Sequence, residues 1–163
     1  MLRGIREHSQ VSVIIISAWE TTRTKIDLLQ LGADDYVTKP FDIDEVVARC
    51  EVALRRSSLG APVAHLHSVG PVQLDEAAHT AMAGGQELQL TATEFGLLTV
   101  LVRQPRIVHA KAHLYAEVWG ESIGYDERTV NAHMSNLRRK LRQACDADPI
   151  HTVCGIGYTM RQP

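Results

Sequence analysis

The sequence predicts a two-part fold: a short parallel α/β segment, then an α+β unit of three helices closed by a β-hairpin. Three observations predict it. Two strand-like runs, Val11–Ile16 and Tyr36–Thr38, alternate with two helical stretches. Three further stretches with apolar residues at helical spacing follow a Ser-, Pro- and Gly-containing break at residues 57–68. Last, Thr152–Met160 alternates around Gly155 and Gly157, as a turned hairpin does.

Each element has a local cause. Val11–Ile16 is β-branched throughout its apolar part, which suits a parallel strand buried on both faces. Thr22–Leu31 places Ile26 and Leu29 on one stripe, and Gly32 is its C-terminal stop. Lys39–Pro40 ends the second strand. Asp42 then caps a helix to about Arg56, with Ile43, Val46, Val47, Cys50 and Leu54 at core spacing. The order β-α-β-α is that of a doubly wound parallel sheet. Two strands do not make such a sheet stable, so residues 1–56 read as the back half of a domain whose front is absent.

Residues 57–68 read as a linker and residues 69–163 as the second domain. Val72–Leu74, Ala81–Ala83 and Leu88–Leu90 are strand candidates around a Gly84–Gly85 turn. Thr91 or Thr93 caps a helix to about Arg103, with Phe95, Leu98, Leu101 and Val102 inward. Lys111–Val118 is a short second helix, and Glu127–Arg142 the third. Three helices and a terminal hairpin outline a winged helix-turn-helix.

The 163 residues carry 17 Lys+Arg against 19 Asp+Glu, a net of −2, with 45% hydrophobic and 22% charged residues. This is globular composition, and no apolar run approaches the roughly 20 residues of a membrane span. The first residues lack the apolar stretch of a signal peptide, and the three cysteines are scattered without a C-x-x-C. The reading is therefore a cytoplasmic protein with no membrane partner. No Ser-His-Asp order, phosphate-cradling glycine loop or metal-ligand spacing occurs, so no catalytic and no metal residue is assigned and no enzyme is expected. His65 and His67 make a lone H-x-H, too few ligands for a metal.

The near-neutral total conceals a patch. Residues 128–142 hold Arg128, Arg138, Arg139, Lys140 and Arg142 with no acid, five charges on fifteen residues. On a helical wheel Val130, Met134, Leu137 and Leu141 form one stripe. Arg128, Ala132, Ser135, Asn136 and Arg139 lie roughly opposite, with Asn131, Arg138 and Arg142 on the margin. Such a face can enter the major groove, where Arg reads guanine, Asn reads adenine and other cations hold phosphates. A solvated basic face on an ordinary amphipathic helix is the competing reading. The absence of acids and the hairpin that follows favour the groove.

Several motifs, in order, resemble the OmpR/PhoB-type two-component response regulators. In the second domain these are Leu90-Thr91-Ala92-Thr93-Glu94-Phe95 with Leu97-Leu98, Val118-Trp119-Gly120, and Arg128-Thr129-Val130 with His133, Leu137-Arg138 and Lys140-Leu141. Thr152-Val153, Gly155 and Gly157-Tyr158 complete it. In the first segment they are Ser17-Ala18, Gly32-Ala33-Asp34-Asp35-Tyr36 and Lys39-Pro40-Phe41. The resemblance implies a flavodoxin-like receiver, present as its back half only, followed by a winged-helix DNA-binding domain.

It also implies roles. Arg128, Ala132, His133, Asn136, Arg138 and Thr152 match DNA-contacting positions. Asn136 stands where an Arg is common, and Cys154 replaces a wing Arg. Ser17 would bond a phosphoryl oxygen, Lys39 would pair with it beside a cis peptide to Pro40, and Tyr36 would be the aromatic switch. The family's acceptor Asp falls about thirty residues before Ser17, and the acidic Mg²⁺ ligands fall in the first strand. Neither is expected in this chain, so no cofactor is expected and a histidine kinase is a partner only of a full receiver. Lys25 with Glu45, Asp35 with Arg49 and Asp34 with Arg56 match charge pairs of a homodimer interface. Double-stranded promoter DNA and, through the loop Gly120–Tyr125, RNA polymerase are the other implied partners. The first reading is a sequence-specific transcriptional regulator. The alternative is an interaction module that titrates full-length regulators into weakly binding heterodimers.

Overall fold

A computed structural model of the chain describes residues 1–18, 21–57, 66–121 and 124–161, with the side chains of 56 and 57 excepted. It opens on a short helix, α1 (Leu2–His8), that the sequence patterns do not announce. Strand β1 (Ile14–Ser17) pairs in parallel with β2 (Asp35–Thr38), Ile14 opposite Asp35 and Ser17 opposite Thr38. Between them runs α2 (Thr22–Gln30), capped by Thr21 and ended at Gly32, whose φ of +101° suits a residue without a side chain. Helix α3 (Ile43–Ser57) follows, and the Asp42 carboxylate accepts from the Asp44 amide at 2.8 Å. The peptide between Lys39 and Pro40 is cis, as the resemblance implies.

The second unit begins earlier than expected. Strand β3 (Leu66–Val69) includes the last residues assigned to the linker and leads an antiparallel sheet with β4 (Val72–Asp75), β5 (Thr80–Ala83) and β6 (Gln86–Glu87). The strand expected at Leu88–Leu90 is displaced to this short β6, because Leu88 turns into the core while the chain leaves the sheet.

Helix α4 (Ala92–Arg103) starts at Thr91, which with Glu94 makes a reciprocal capping box. Then come β7 (His109–Ala110), α5 (Lys111–Trp119) and α6 (Glu127–Cys145). The wing is β8 (Ile150–Val153) and β9 (Gly157–Met160), with β9 between β7 and β8. At Gly157 any Cβ would lie 1.9 Å from the His109 carbonyl oxygen, so glycine alone lets β9 approach β7.

One core joins Val72, Leu74, Leu98, Leu101, Trp119, Met134, Leu137, Leu141 and Met160. Val52 of α3 belongs to that same core, so the first segment is packed onto the second. This overturns one expectation for α3. Ile43 (72% exposed) and Leu54 (68%), with Val47 and Cys50, face outward, and Val46 is half-buried. The helix instead turns Arg49, Val52 and Ala53 toward α4 and α5. Its regular spacing marks an apolar stripe but does not say which partner the helix takes.

Candidate nucleic-acid interface

Helix α6 is built as the wheel requires. Asp126 caps it by accepting from the Arg128 amide at 3.0 Å, and Asp146 ends it in the left-handed region. Val130, Met134, Leu137 and Leu141 are fully buried beneath it. The wing is tied to it at two points. The Tyr158 hydroxyl donates to Asn131 Oδ1 at 2.9 Å, and Arg138 Nη1 donates to Thr152 Oγ1 at 3.1 Å.

Its cations are differently engaged. Arg138 forks onto Asp148 at 2.9 Å and 2.6 Å, and Lys140 donates to Glu94 at 2.7 Å and to the Gln89 carbonyl at 2.6 Å. Arg128, Arg139 and Arg142 are exposed. Thr152 and Cys154 lie exposed on the wing.

The face opposite the core is open only in part: Arg128, Ser135 and Arg139 are exposed on it, while its middle is covered. Ala132 (3% exposed), His133 (1%) and Asn136 (6%) are buried against the first segment. Ala132 lies in an apolar cluster with Leu2, Leu29 and Ala33. His133 Nε2 donates to the Asp34 carbonyl at 3.1 Å, Asn136 Nδ2 to the Leu29 carbonyl at 3.1 Å, and Arg128 Nη1 to Thr22 Oγ1 at 3.2 Å. Sequence reasoning leaves this face free for a groove; here α2 occupies the part around Ala132 and Asn136. The physical reason is that a surface of small and amide side chains suits either the edges of bases or the carbonyl end of a helix. The signal that separates the two lies elsewhere in the chain, in Leu2, Leu29 and Ala33.

Several of the charges matched to a homodimer interface also have partners within the chain. Within the chain Lys25 pairs with Asp126. Arg49 pairs with Asp35 at 2.6 Å and with Glu45 at 2.7 Å. Asp34 takes Arg6 at 2.8 Å, and the Arg56 side chain lies outside the described residues. Lys25 and Asp34, two of the residues matched to dimerisation, therefore meet α6 or its cap, while Asp35, Glu45 and Arg49 pair among themselves.

Burial opposes ionisation of Asp126, but the hydrogen bond and charge of Lys25, with Arg128, outweigh it and hold the carboxyl below its ordinary value. Beside Arg49, the Tyr115 hydroxyl is pushed up to about 12, chiefly by burial and then by the Asp35 charge. Because the Asp126 value is depressed in this structure, its contribution is present above the ordinary carboxylate pKa. It is lost only as pH falls through the lower, folded-state value. Partly exposed pairs of this kind contribute about 1 kcal/mol or less. An NMR titration should thus place Asp126 below an ordinary aspartate and return it to normal in Lys25→Ala; an unshifted value in the wild type contradicts the pairing.

Among the residues matched to phosphoryl response, Tyr36 is buried, Ser17 half-buried and Lys39 exposed at the end of β2. Trp119 is a packing residue, stacked on Tyr115 at 4.9 Å. His67 bonds Glu76, and His65 lies outside the described residues. So do residues 122 and 123 of the loop matched to polymerase contact. No helix among the described residues is long and apolar enough to cross a membrane.

Comparison with known proteins agrees with this layout. Residues 1–51 match the family described as Response regulator receiver domain, and residues 85–160 the family described as Transcriptional regulatory protein, C terminal. The chain is 36% identical over 160 residues to the Response regulator ArlR of Staphylococcus saprophyticus, covering 98% of this chain and 71% of that one. It is 37% identical over 166 residues to the DNA-binding response regulator MtrA of Mycolicibacterium smegmatis, covering 99% and 70%.

Among solved structures, a mutant of RitR superposes with a TM-score of 0.73 at 26% identity, covering 99% of this chain and 72% of that one. The DNA-binding domain of CpxR from E. coli matches at 0.53 and 34%, covering 60% and 97%. The Klebsiella pneumoniae RstA DNA-binding domain, solved in complex with the RstA box, matches at 0.52 and 26%, covering 59% and 96%. With a receiver segment, a winged helix and relatives of this kind along nearly its whole length, the chain belongs to the OmpR/PhoB-type response regulators.

Proposed function

We propose that this chain is a sequence-specific, DNA-binding transcriptional regulator whose helix α6 reads duplex DNA after leaving α2. The observation that carries the reading is the construction of α6. Its core stripe is fixed, and between residues 128 and 142 its other faces bear Arg128, Asn136, Arg138, Arg139 and Arg142 without an acid. The wing is hydrogen-bonded to it at Arg138 and Tyr158. A helix so presented delivers base-reading and phosphate-holding groups together. Because Ala132, His133 and Asn136 are covered, the closed form and the DNA-bound form exclude one another. The apparent affinity is then the open form's affinity scaled by its population.

Selection from a pool of random-sequence duplexes should enrich one motif, with affinity falling steeply as salt rises. No enrichment, together with inhibition of DNA binding by an intact relative, would favour the titration reading. The engagement of Lys25, Asp34 and Asp35 within the chain speaks against titration in the closed form, since the surface such a module would offer is occupied. We also propose that no residue of this chain accepts a phosphoryl group. Incubation with acetyl phosphate and Mg²⁺ should leave the mass of this polypeptide unchanged, and a gain of one phosphoryl group would refute that proposal.

A further inference from the structure

Helix α1 sends two side chains into the seam that covers the recognition helix. Leu2 lies with Leu29, Ala33 and Ala132, so it seals the smallest residue of the groove-reading face. Arg6 lies beneath it. Its Nε donates to the Gly32 carbonyl at 2.8 Å, Nη1 to the Val11 carbonyl at 2.6 Å, and Nη2 to Asp34 Oδ2 at 2.8 Å. A Cβ built on Gly32 would come within 3.1 Å of Arg6 Nε, so a glycine there leaves room for the guanidinium.

Asp34 is the hub on which the seam turns. Its buried carboxylate also accepts from the Val13 amide and from Thr93 Oγ1, each at 2.8 Å. Its main-chain carbonyl accepts from His133 Nε2. One residue thus ties α1, the residue just before β1, the first turn of α4 and the middle of α6. A buried carboxylate that loses its cation is strongly disfavoured, so Arg6 fixes where Asp34 sits, and Asp34 fixes His133.

We propose that α1 is a latch: Leu2 and Arg6 hold the recognition helix against α2, and release of α1 frees Ala132, His133 and Asn136 for DNA. The proposal rests on the reading of α6 as the DNA-reading helix and names how that site is regulated. Neither Leu2 nor Arg6 belongs to the DNA-reading face, so loosening them changes the population of the open form and not its contacts.

The test compares Arg6→Ala and Leu2→Ala with the wild-type chain in two measurements: affinity for a pool of random-sequence duplexes, and amide exchange along α4 and α6. Both variants should bind about tenfold tighter, as expected if the open fraction rises by that factor. Residues 130–137 should exchange faster while α4 stays protected. If the wild type binds and the variants bind no tighter, the latch is overturned and the DNA reading stands. If nothing binds, the DNA reading fails, and amide exchange alone decides the latch: unchanged rates in residues 130–137 overturn it. Should Arg6→Ala also deprotect α4, the domain has unfolded and the milder Leu2→Ala decides.

Discussion

Replacing Trp119 by alanine is expected to destabilise the second domain by about 3–5 kcal/mol, the range for removing a large, fully buried aromatic side chain. Trp119 is 0% exposed, stacks on Tyr115, tilts against the His133 ring at 5.5 Å and sits where α4, α5 and α6 meet. Its indole nitrogen also lies 3.4 Å from the Asp34 carbonyl oxygen, so the cavity would open directly under the seam between the two segments. A small domain holds only about 5–15 kcal/mol in total, so this loss is a large share of the whole. Thermal unfolding should show it as a fall in Tm of about 15 °C or more. A change of only a few degrees would mean that the three helices do not converge on this ring.

The second large effect concerns DNA. Arg128→Ala and Arg138→Ala should each lower affinity by about 1–3 kcal/mol, and the loss of a phosphate contact should flatten the salt dependence by about one charge. The two substitutions differ in what else they touch. Arg128 is exposed and bonds Thr22 in the closed form, so its removal also loosens that form and partly offsets the loss. Arg138 holds Asp148 and Thr152, so its removal frees the wing as well and should cost more. Unchanged binding in both variants, measured by titration at fixed salt, would contradict the assignment of α6 to the groove.

The elements themselves were legible where local chemistry decides them. Thr91, one of two candidate caps, announces α4, Asp42 announces α3, and the Val130–Leu141 stripe announces the buried side of α6. What sequence reasoning missed is long-range. Ala132 and Asn136 read as groove-facing because their outward position follows from periodicity, whereas their covering by Leu2 and Leu29 depends on how two segments dock. The apolar stripe of α3 misleads for the same reason, since Val52 and Ala53, not Ile43 and Leu54, meet the core. Within the chain Lys25 meets Asp126, a contact across about a hundred residues that no local pattern announces. Helix α1 escapes notice because seven residues with one buried leucine leave almost no periodic signal.

The most direct measurement is amide exchange of the whole chain with and without the duplex it selects. If α6 trades one partner for another, duplex should leave residues 130–137 protected while α2, stripped of its cover, exchanges faster. Should tight binding occur with α2 as protected as before, DNA is held by some other surface and the role given to this helix is wrong.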